Sequence, residues 1–142
     1  PLTHQECLAL LASSSIGHLA VQVGHYPQVF TVNYRLDGQV IVFRSNAGTK
    51  LQAADHANVA FHVDHVDPVT RTGWSVLVQG MAEDVTNHRA DPNRDRAEAL
   101  DIAPWVADGR SHLVRVIPAH ITGRRIGPGA AAFWTLDAGS YL

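Results

Sequence analysis

Short runs of residues with a period of two recur along most of this chain, and they limit its fold more than any other feature. Each run is rich in Val, Ile, Thr, Phe and Tyr, a composition typical of β-strands. The runs predicted as strands are residues 16–23, 28–35, 39–45, 59–66, 74–85, 112–117 and 121–126. Their number and order predict a small all-β barrel of six to seven antiparallel strands, with short helices at its periphery.

The linkers between the runs predict how neighbouring strands pair. Residues 24–27 contain Gly and Pro and form the first turn, and Asp37-Gly38 is a strong signal for a hairpin between the second and third runs. Residues 67–73 also contain Pro and Gly, so we expect a second hairpin between the runs that flank them. Both hairpins place consecutive strands side by side and antiparallel.

Helices are predicted only outside the strands. Thr3 and Glu6 form a capping box, which predicts a short helix that ends near the serines at 13–15. Thr49 and Gln52 form a second capping box, which predicts a helix through about Asp55. The polar residues 86–108 are interpreted as a solvated excursion with a short helix over 94–100. The tail, residues 127–142, carries aromatic residues, and we expect it to dock on this subunit or on a partner.

Composition excludes several classes of protein. A chain of 142 residues is expected to form a single domain over residues 1–142, and 46% hydrophobic with 17% charged residues excludes a disordered chain. The net charge of −2 argues against a nucleic-acid partner. The single Cys7 excludes an internal disulfide, and no apolar run is long enough to span a membrane. We therefore expect a cytoplasmic protein that is not inserted in a membrane.

The segment from Arg44 to Lys50 carries the clearest chemical signal. A predicted strand ends at Arg44 and Ser45, and the predicted helix at Thr49 and Lys50 follows after a short turn. Cationic and hydroxyl side chains next to the N-terminus of a helix are a plausible phosphate cradle. Lys50 is the only lysine among eleven basic residues. The alternative is that these residues are ordinary solvated surface, because the spacing of a Walker loop is missing.

Several segments, in this order and spacing, resemble the pyridoxamine 5′-phosphate oxidase-like family of FMN-binding split β-barrels. The resemblance covers the chain from about Leu2 to Ile126. The segments that carry it are Phe30-Thr31-Val32-Asn33-Tyr34, Val42-Phe43-Arg44-Ser45, Gly48-Thr49-Lys50-Leu51, and residues 59–64, 72–80 and 121–126.

The resemblance implies a homodimer with two FMN sites at the subunit interface. It implies that the FMN phosphate is held by Arg44, Ser45, Thr49 and Lys50. It further implies that Val32 and Asn33 lie along the flavin ring, that Trp74 and Ser75 approach it from the other subunit, and that Trp134 covers it.

The implied activity is two-electron redox chemistry on a small molecule by an FMN-dependent oxidoreductase. A deazaflavin coenzyme is the alternative cofactor, and a non-catalytic protein that binds flavin, deazaflavin or haem is the alternative function. Larger members recognise pyridoxamine phosphate through a C-terminal Trp and Arg pattern that this chain does not match. We therefore expect a different substrate.

No protein side chain is predicted to act as a catalytic residue. Ser75 has no nucleophile elbow around it, and Cys7 is interpreted as a small buried thiol on a helix. His62 and Asp64 share one face of a predicted strand, but no third ligand stands at a telling distance. We therefore predict no metal site. Two-electron flavin chemistry does not strictly require a protein acid or base, because the cofactor carries the hydride.

Overall fold

The fold was analysed in a computed structural model that describes residues 1–86 and 112–127. Two short helices and six strands make up these residues. In chain order they are α1 (His4–Ala12), β1 (Ile16–Val23), β2 (Tyr26–Asp37), β3 (Val40–Ser45), α2 (Thr49–Ala54), β4 (Ala57–Asp67), β5 (Thr72–Asp84) and β6 (His112–Ile126). The predicted helix over 94–100, most of the 86–108 excursion, and nearly all of the 127–142 tail, with Trp134, lie outside the described residues.

The six strands form a closed antiparallel barrel in the order β1-β2-β3-β6-β5-β4. The prediction of a small antiparallel barrel with peripheral helices is confirmed, as are the β2–β3 and β4–β5 hairpins. The ladders differ greatly in length. The β5–β6 ladder runs from Gly73 to Asp84, whereas β1 pairs with β4 only from His18 to Ala20. The barrel is therefore closed by one very short seam.

Alternation along the strands fills the barrel with apolar side chains. Leu19, Phe61 and Val78 point inward and are fully buried, while their neighbours point outward. At the centre, the rings of Tyr34 and Phe61 meet edge to face at 4.9 Å between centroids. The helices pack onto this core: α1 contacts β2, β5 and β6, and α2 contacts β1, β4 and β5.

The first turn is shorter than predicted. Tyr26 and Pro27 already pair with Val23 and Gln22, so the turn consists of Gly24 and His25 alone. Gly24 has φ = 62°, a left-handed conformation that glycine adopts without steric cost. The strand can include Pro27 because this residue is the second of β2, and a proline is tolerated at the start of a strand.

The two runs predicted at 112–117 and 121–126 are one strand, and this prediction was wrong. Pro118 was interpreted as a break, but β6 continues through it and the β5–β6 register shifts between Gln79 and Gly80. A proline cannot donate a ladder hydrogen bond, and a local irregularity accommodates it. Gly80 makes this possible, because a Cβ at that position would lie 2.0 Å from the carbonyl oxygen of Ile117.

The two capping-box predictions had different outcomes. The first is confirmed: Thr3 Oγ1 accepts from the Glu6 N–H at 3.2 Å, and Glu6 Oε1 accepts from the Thr3 N–H at 3.4 Å. The second was wrong, because Gly48 is the N-cap of α2 and no side chain caps it. Thr49 is already the first helical residue, which removes its hydroxyl from the capping position.

Candidate cofactor site

The candidate site lies where β2 and β3 separate. Their ladder runs from the hairpin up to Tyr34 and Phe43, both of which are buried in the barrel. Asn33 and Arg44 are the next residues on the two strands, and alternation places both on the outer face. The register therefore brings together two residues that the sequence analysis assigned to one site.

From Asn33 back toward Tyr26, β2 no longer pairs with β3, so one backbone edge of β2 has no partner in β3. Residues from Tyr26 to Asn33 pair with β1 on one side, and no pair with β3 occurs there within the described residues. Val32 is only 2% exposed as a whole residue, so its side chain is packed into the barrel and presents no surface to a ligand. Asn33 is half-buried, and its amide can donate and accept hydrogen bonds.

Ser45 ends β3 directly opposite His112 of β6. Ser45 is buried, at 6% exposure. Its hydroxyl donates to the carbonyl oxygen of Asn46 at 3.1 Å, which shapes the turn into α2. Ser45 therefore supports the turn, and its buried hydroxyl already has a partner.

Lys50 is held on the first turn of α2 by an aromatic residue of β2. Its Nζ lies 4.9 Å from the centroid of the Phe30 ring, within the range of a cation–π interaction. Partial burial lowers the pKa of Lys50, because a desolvated ammonium is costly. An anion beside this ammonium would offset that cost. Sequence reasoning missed Phe30 as a site residue, although its position two residues before Val32 puts it on the same face.

The other residues predicted to bind the phosphate precede Lys50 closely in the chain. Arg44 is half-buried on β3 and takes part in an interaction of its own, and Thr49 is exposed at the start of α2. Because α2 has only six residues, its dipole adds little, and the cradle depends on side-chain charge. Arg44, Ser45, Thr49 and Lys50 thus lie within seven residues of the chain, from the end of β3 to the first turn of α2, and their role as a phosphate cradle stays a prediction.

Trp74 and Ser75 lie far from this turn within one chain. Arg44 pairs with Leu113 near the start of β6, whereas Trp74 pairs with Arg125 near its end. Twelve residues of strand correspond to roughly 40 Å along β6 at about 3.3 Å per residue. Trp74 also packs partly against the core, and Ser75 is half-buried. The structure does not bring these two residues to the cradle of the same chain.

A polar cluster that sequence reasoning missed lies across the ladder from Ser45. His112 Nδ1 is 2.9 Å from Asp84 Oδ2, and Asp84 Oδ1 accepts from the N–H of Thr86 at 3.0 Å. Burial raises the pKa of Asp84, but the hydrogen bonds from Thr86 and His112 outweigh it and leave that pKa lowered. The backbone N–H of Asp84 also donates to Asp55 at the end of α2. The cluster therefore anchors α2 to β5.

No signal in the sequence could have identified this cluster, because Asp84 and His112 are 28 residues apart. Metal-ligating side chains are otherwise scattered. Within residues 1–86 and 112–127, no group of three or more His, Cys, Asp or Glu is placed to hold an ion. The same ranges contain no helix that is long and apolar enough to span a membrane.

Known proteins resemble this chain over most of its length. A family model described as pyridoxamine 5′-phosphate oxidase matches residues 3–125. The uncharacterized protein Rv0080 of Mycobacterium tuberculosis is 33% identical over 132 residues, covering 88% of this chain and 84% of the relative.

Two solved structures are also similar. One is described as the FAD binding protein from Mycobacterium smegmatis, with 35% identity, a TM-score of 0.75, and coverage of 88% of this chain and 98% of that one. The other is a putative pyridoxamine 5′-phosphate oxidase from Corynebacterium glutamicum, with 33% identity, a TM-score of 0.75, and coverage of 89% and 96%.

Proposed function

Because the chain belongs to the pyridoxamine 5′-phosphate oxidase family, we propose that it is a flavin-dependent oxidoreductase that uses FMN for two-electron redox chemistry on a small molecule. One observation carries the proposal. A half-buried lysine is held over the Phe30 ring where β2 and β3 separate, on the same turn as Arg44 and Ser45. This arrangement suits a phosphate joined to a flat ring system.

The residues at the site fit such a ligand. Lys50 and Arg44 supply positive charge for the phosphate, and Thr49 supplies an exposed hydroxyl. The edge of β2 that leaves the ladder offers backbone N–H and C=O groups to the polar rim of a flavin. When bound, FMN supplies hydride transfer, and the protein anchors and orients it. Both FMN and FAD carry a phosphate at the end of the ribityl chain, whereas riboflavin has no phosphate.

The distant position of Trp74 and Ser75 supports a homodimer. If these residues reach a flavin, they reach the one held by the other subunit, because their own cradle lies at the opposite end of β6. A second copy of the chain would also bury more of a ligand the size of FMN than the outside of one small barrel can. We therefore include two sites shared between two subunits in the proposal.

Arg44→Ala and Lys50→Ala test the position of the phosphate. Each should weaken FMN by about 10- to 100-fold, because a charge-assisted hydrogen bond contributes about 1.5–3 kcal/mol. Riboflavin should be affected much less, since it has no phosphate. Flavin fluorescence during titration with FMN, FAD and riboflavin measures both effects.

The matched control is Arg71→Asn. It removes the same charge from the exposed β4–β5 hairpin, at a positive φ that Asn tolerates. FMN affinity should not change in this variant. Equal losses for FMN and riboflavin in the Arg44 and Lys50 variants would place the phosphate elsewhere. A protein that takes up no flavin at all would contradict the proposal.

A second candidate function is flavin binding without turnover. It is favoured by the M. smegmatis relative, whose structure is described as an FAD binding protein. Steady-state reduction by a nicotinamide nucleotide, with an added electron acceptor, separates the two functions. Repeated cycles of bleaching and return of the flavin absorbance support an enzyme. A bound flavin that nicotinamide nucleotides do not reduce favours the binding protein.

A further inference from the structure

His18 and His62 stand directly opposite each other where β1 pairs with β4. Both point to the outside of the barrel, because their neighbours Leu19 and Phe61 point inward and are fully buried. His18 is exposed and His62 is half-buried. The register therefore places two imidazoles side by side on an accessible face of the sheet.

Neither imidazole interacts with another side chain among the described residues. The structure shows no hydrogen bond or ion pair there for His18 or for His62. Their lateral neighbours are neutral: Thr31 of β2 lies opposite His18, and Leu77 of β5 lies opposite His62. Asp64, on the same face two residues beyond His62, is exposed. The ring nitrogens are thus available to a ligand that neutral imidazole can bind.

We propose that His18 and His62 form a two-histidine site for a transition-metal ion such as Cu²⁺, Ni²⁺ or Zn²⁺. Directly opposed residues in an antiparallel pair have Cβ atoms about 4.5–5.5 Å apart, so both rings can reach one ion at metal–nitrogen distances of about 2.0–2.1 Å. Imidazole is a preferred ligand of these metals. Water completes the coordination.

A metal ion at this site would stabilise the pairing of β1 with β4. The β1–β4 ladder contains only His18–His62, Leu19–Phe61 and Ala20–Ala60, which makes it the shortest ladder of the barrel. An ion held by both histidines joins the two strands through their side chains at this seam. Because it binds the folded chain, in which the two strands are paired, the metal stabilises the barrel.

Copper binding to the untagged full-length chain tests the site. Copper stands highest in affinity among the divalent first-row metals for such ligands, so Cu²⁺ is the probe. Electron paramagnetic resonance of the tightest site should show two coordinated nitrogens. His18→Ala and His62→Ala should each lower the affinity of this site at least tenfold, and the double variant should lose little more, because the two ligands act together.

His4→Ala, His25→Ala and His120→Ala are the matched controls, since each removes an exposed histidine from another place. They should leave the tightest site unchanged. Cu²⁺ should also raise the melting temperature of the wild type and of the controls by several degrees, and it should fail to do so in the His18 and His62 variants. Wild-type affinity and wild-type stabilisation in those two variants would overturn the proposal, as would one coordinated nitrogen or none.

Discussion

Lys50 shows how much of the site depends on a single side chain. Its position after a strand and a Gly-containing turn already suggested an anion ligand, because it is the only lysine in the chain. The Phe30 contact and the partial burial that lowers its pKa were not visible in the sequence, since they depend on how close α2 lies to β2. In the structure, the Lys50 ammonium is therefore partly desolvated.

The lowered pKa of Lys50 predicts how FMN affinity changes with pH. A bound phosphate favours the ammonium form, so binding above the lowered pKa requires the uptake of a proton. Affinity for FMN should therefore fall as pH rises through that pKa, which lies below its ordinary value of 10.5, by up to about tenfold per pH unit. Equilibrium titration of FMN between neutral pH and pH 10 measures the decline, and riboflavin corrects for titration of the flavin itself.

Lys50→Arg provides the matched control, because a guanidinium stays charged throughout this range. In that variant the FMN affinity, once divided by the riboflavin affinity, should remain level. A wild-type profile that is equally flat would contradict the predicted pH dependence. A decline that persists unchanged in the Arg variant would assign the titration to another group.

At the scale of elements, strands were predicted more accurately than their interruptions. The period of two is a local property, and it located all six strands to within a few residues. The predictions at Pro118 and Thr49 were wrong because proline does not always end a strand and threonine does not always cap a helix. Pro118 is accommodated by a register shift opposite Gly80, and the capping position before Thr49 is taken by Gly48.

Gly80→Ala should destabilise the barrel by about 1–3 kcal/mol or more, because overpacking a tight position forces the backbone to move. The added Cβ would meet the Ile117 carbonyl oxygen at 2.0 Å, at the irregularity that accommodates Pro118. Urea denaturation followed by circular dichroism gives the free energy of unfolding. Gly127→Ala, at a position where no described residue other than its chain neighbours lies within 4 Å of the added Cβ, should change it by less than about 0.5 kcal/mol. Equal stability of the two variants would show that β5 and β6 do not approach as described.

At the scale of the whole molecule, the cradle and the Trp74–Ser75 pair occupy opposite ends of the long β5–β6 ladder. Within one chain, twelve residues of β6 separate the residues with which Arg44 and Trp74 pair. In a dimer with twofold symmetry, one end of each barrel can face the other end of its partner, which gives two equivalent sites. The proposed site is then a property of two chains.

Mixing two inactive variants tests this arrangement. Lys50→Ala damages the cradle, and Ser75→Asp places a negative charge at the opposite end of β6, so each homodimer should bind FMN weakly. When equal amounts are co-refolded, about a quarter of the sites should regain wild-type affinity, because half of the dimers are mixed and each has one intact site. Fluorescence titration counts these sites, and native mass spectrometry confirms the mixed dimers.

Lys50→Ala mixed with Arg44→Ala serves as the control, since both changes damage the same half of the site and no recovery is expected. Recovery in this control, or none in the first mixture despite mixed dimers, would contradict a site shared in this way.

Residues close together in the chain were sufficient for much of this description. Alternation along Ile16–Val23 or Val40–Ser45, the Asp37-Gly38 turn and the Thr3–Glu6 capping box depend on backbone geometry within a few residues, so the sequence predicted the strands, the hairpins and the start of α1. The Phe30–Lys50 contact, the Asp84–His112 pair and the facing histidines at 18 and 62 required the fold. Each of these contacts joins residues from elements that are distant in the chain. The register of the strands brings them together, and closure of the barrel fixes that register, because only one alignment lets all six strands pair and bury their apolar faces.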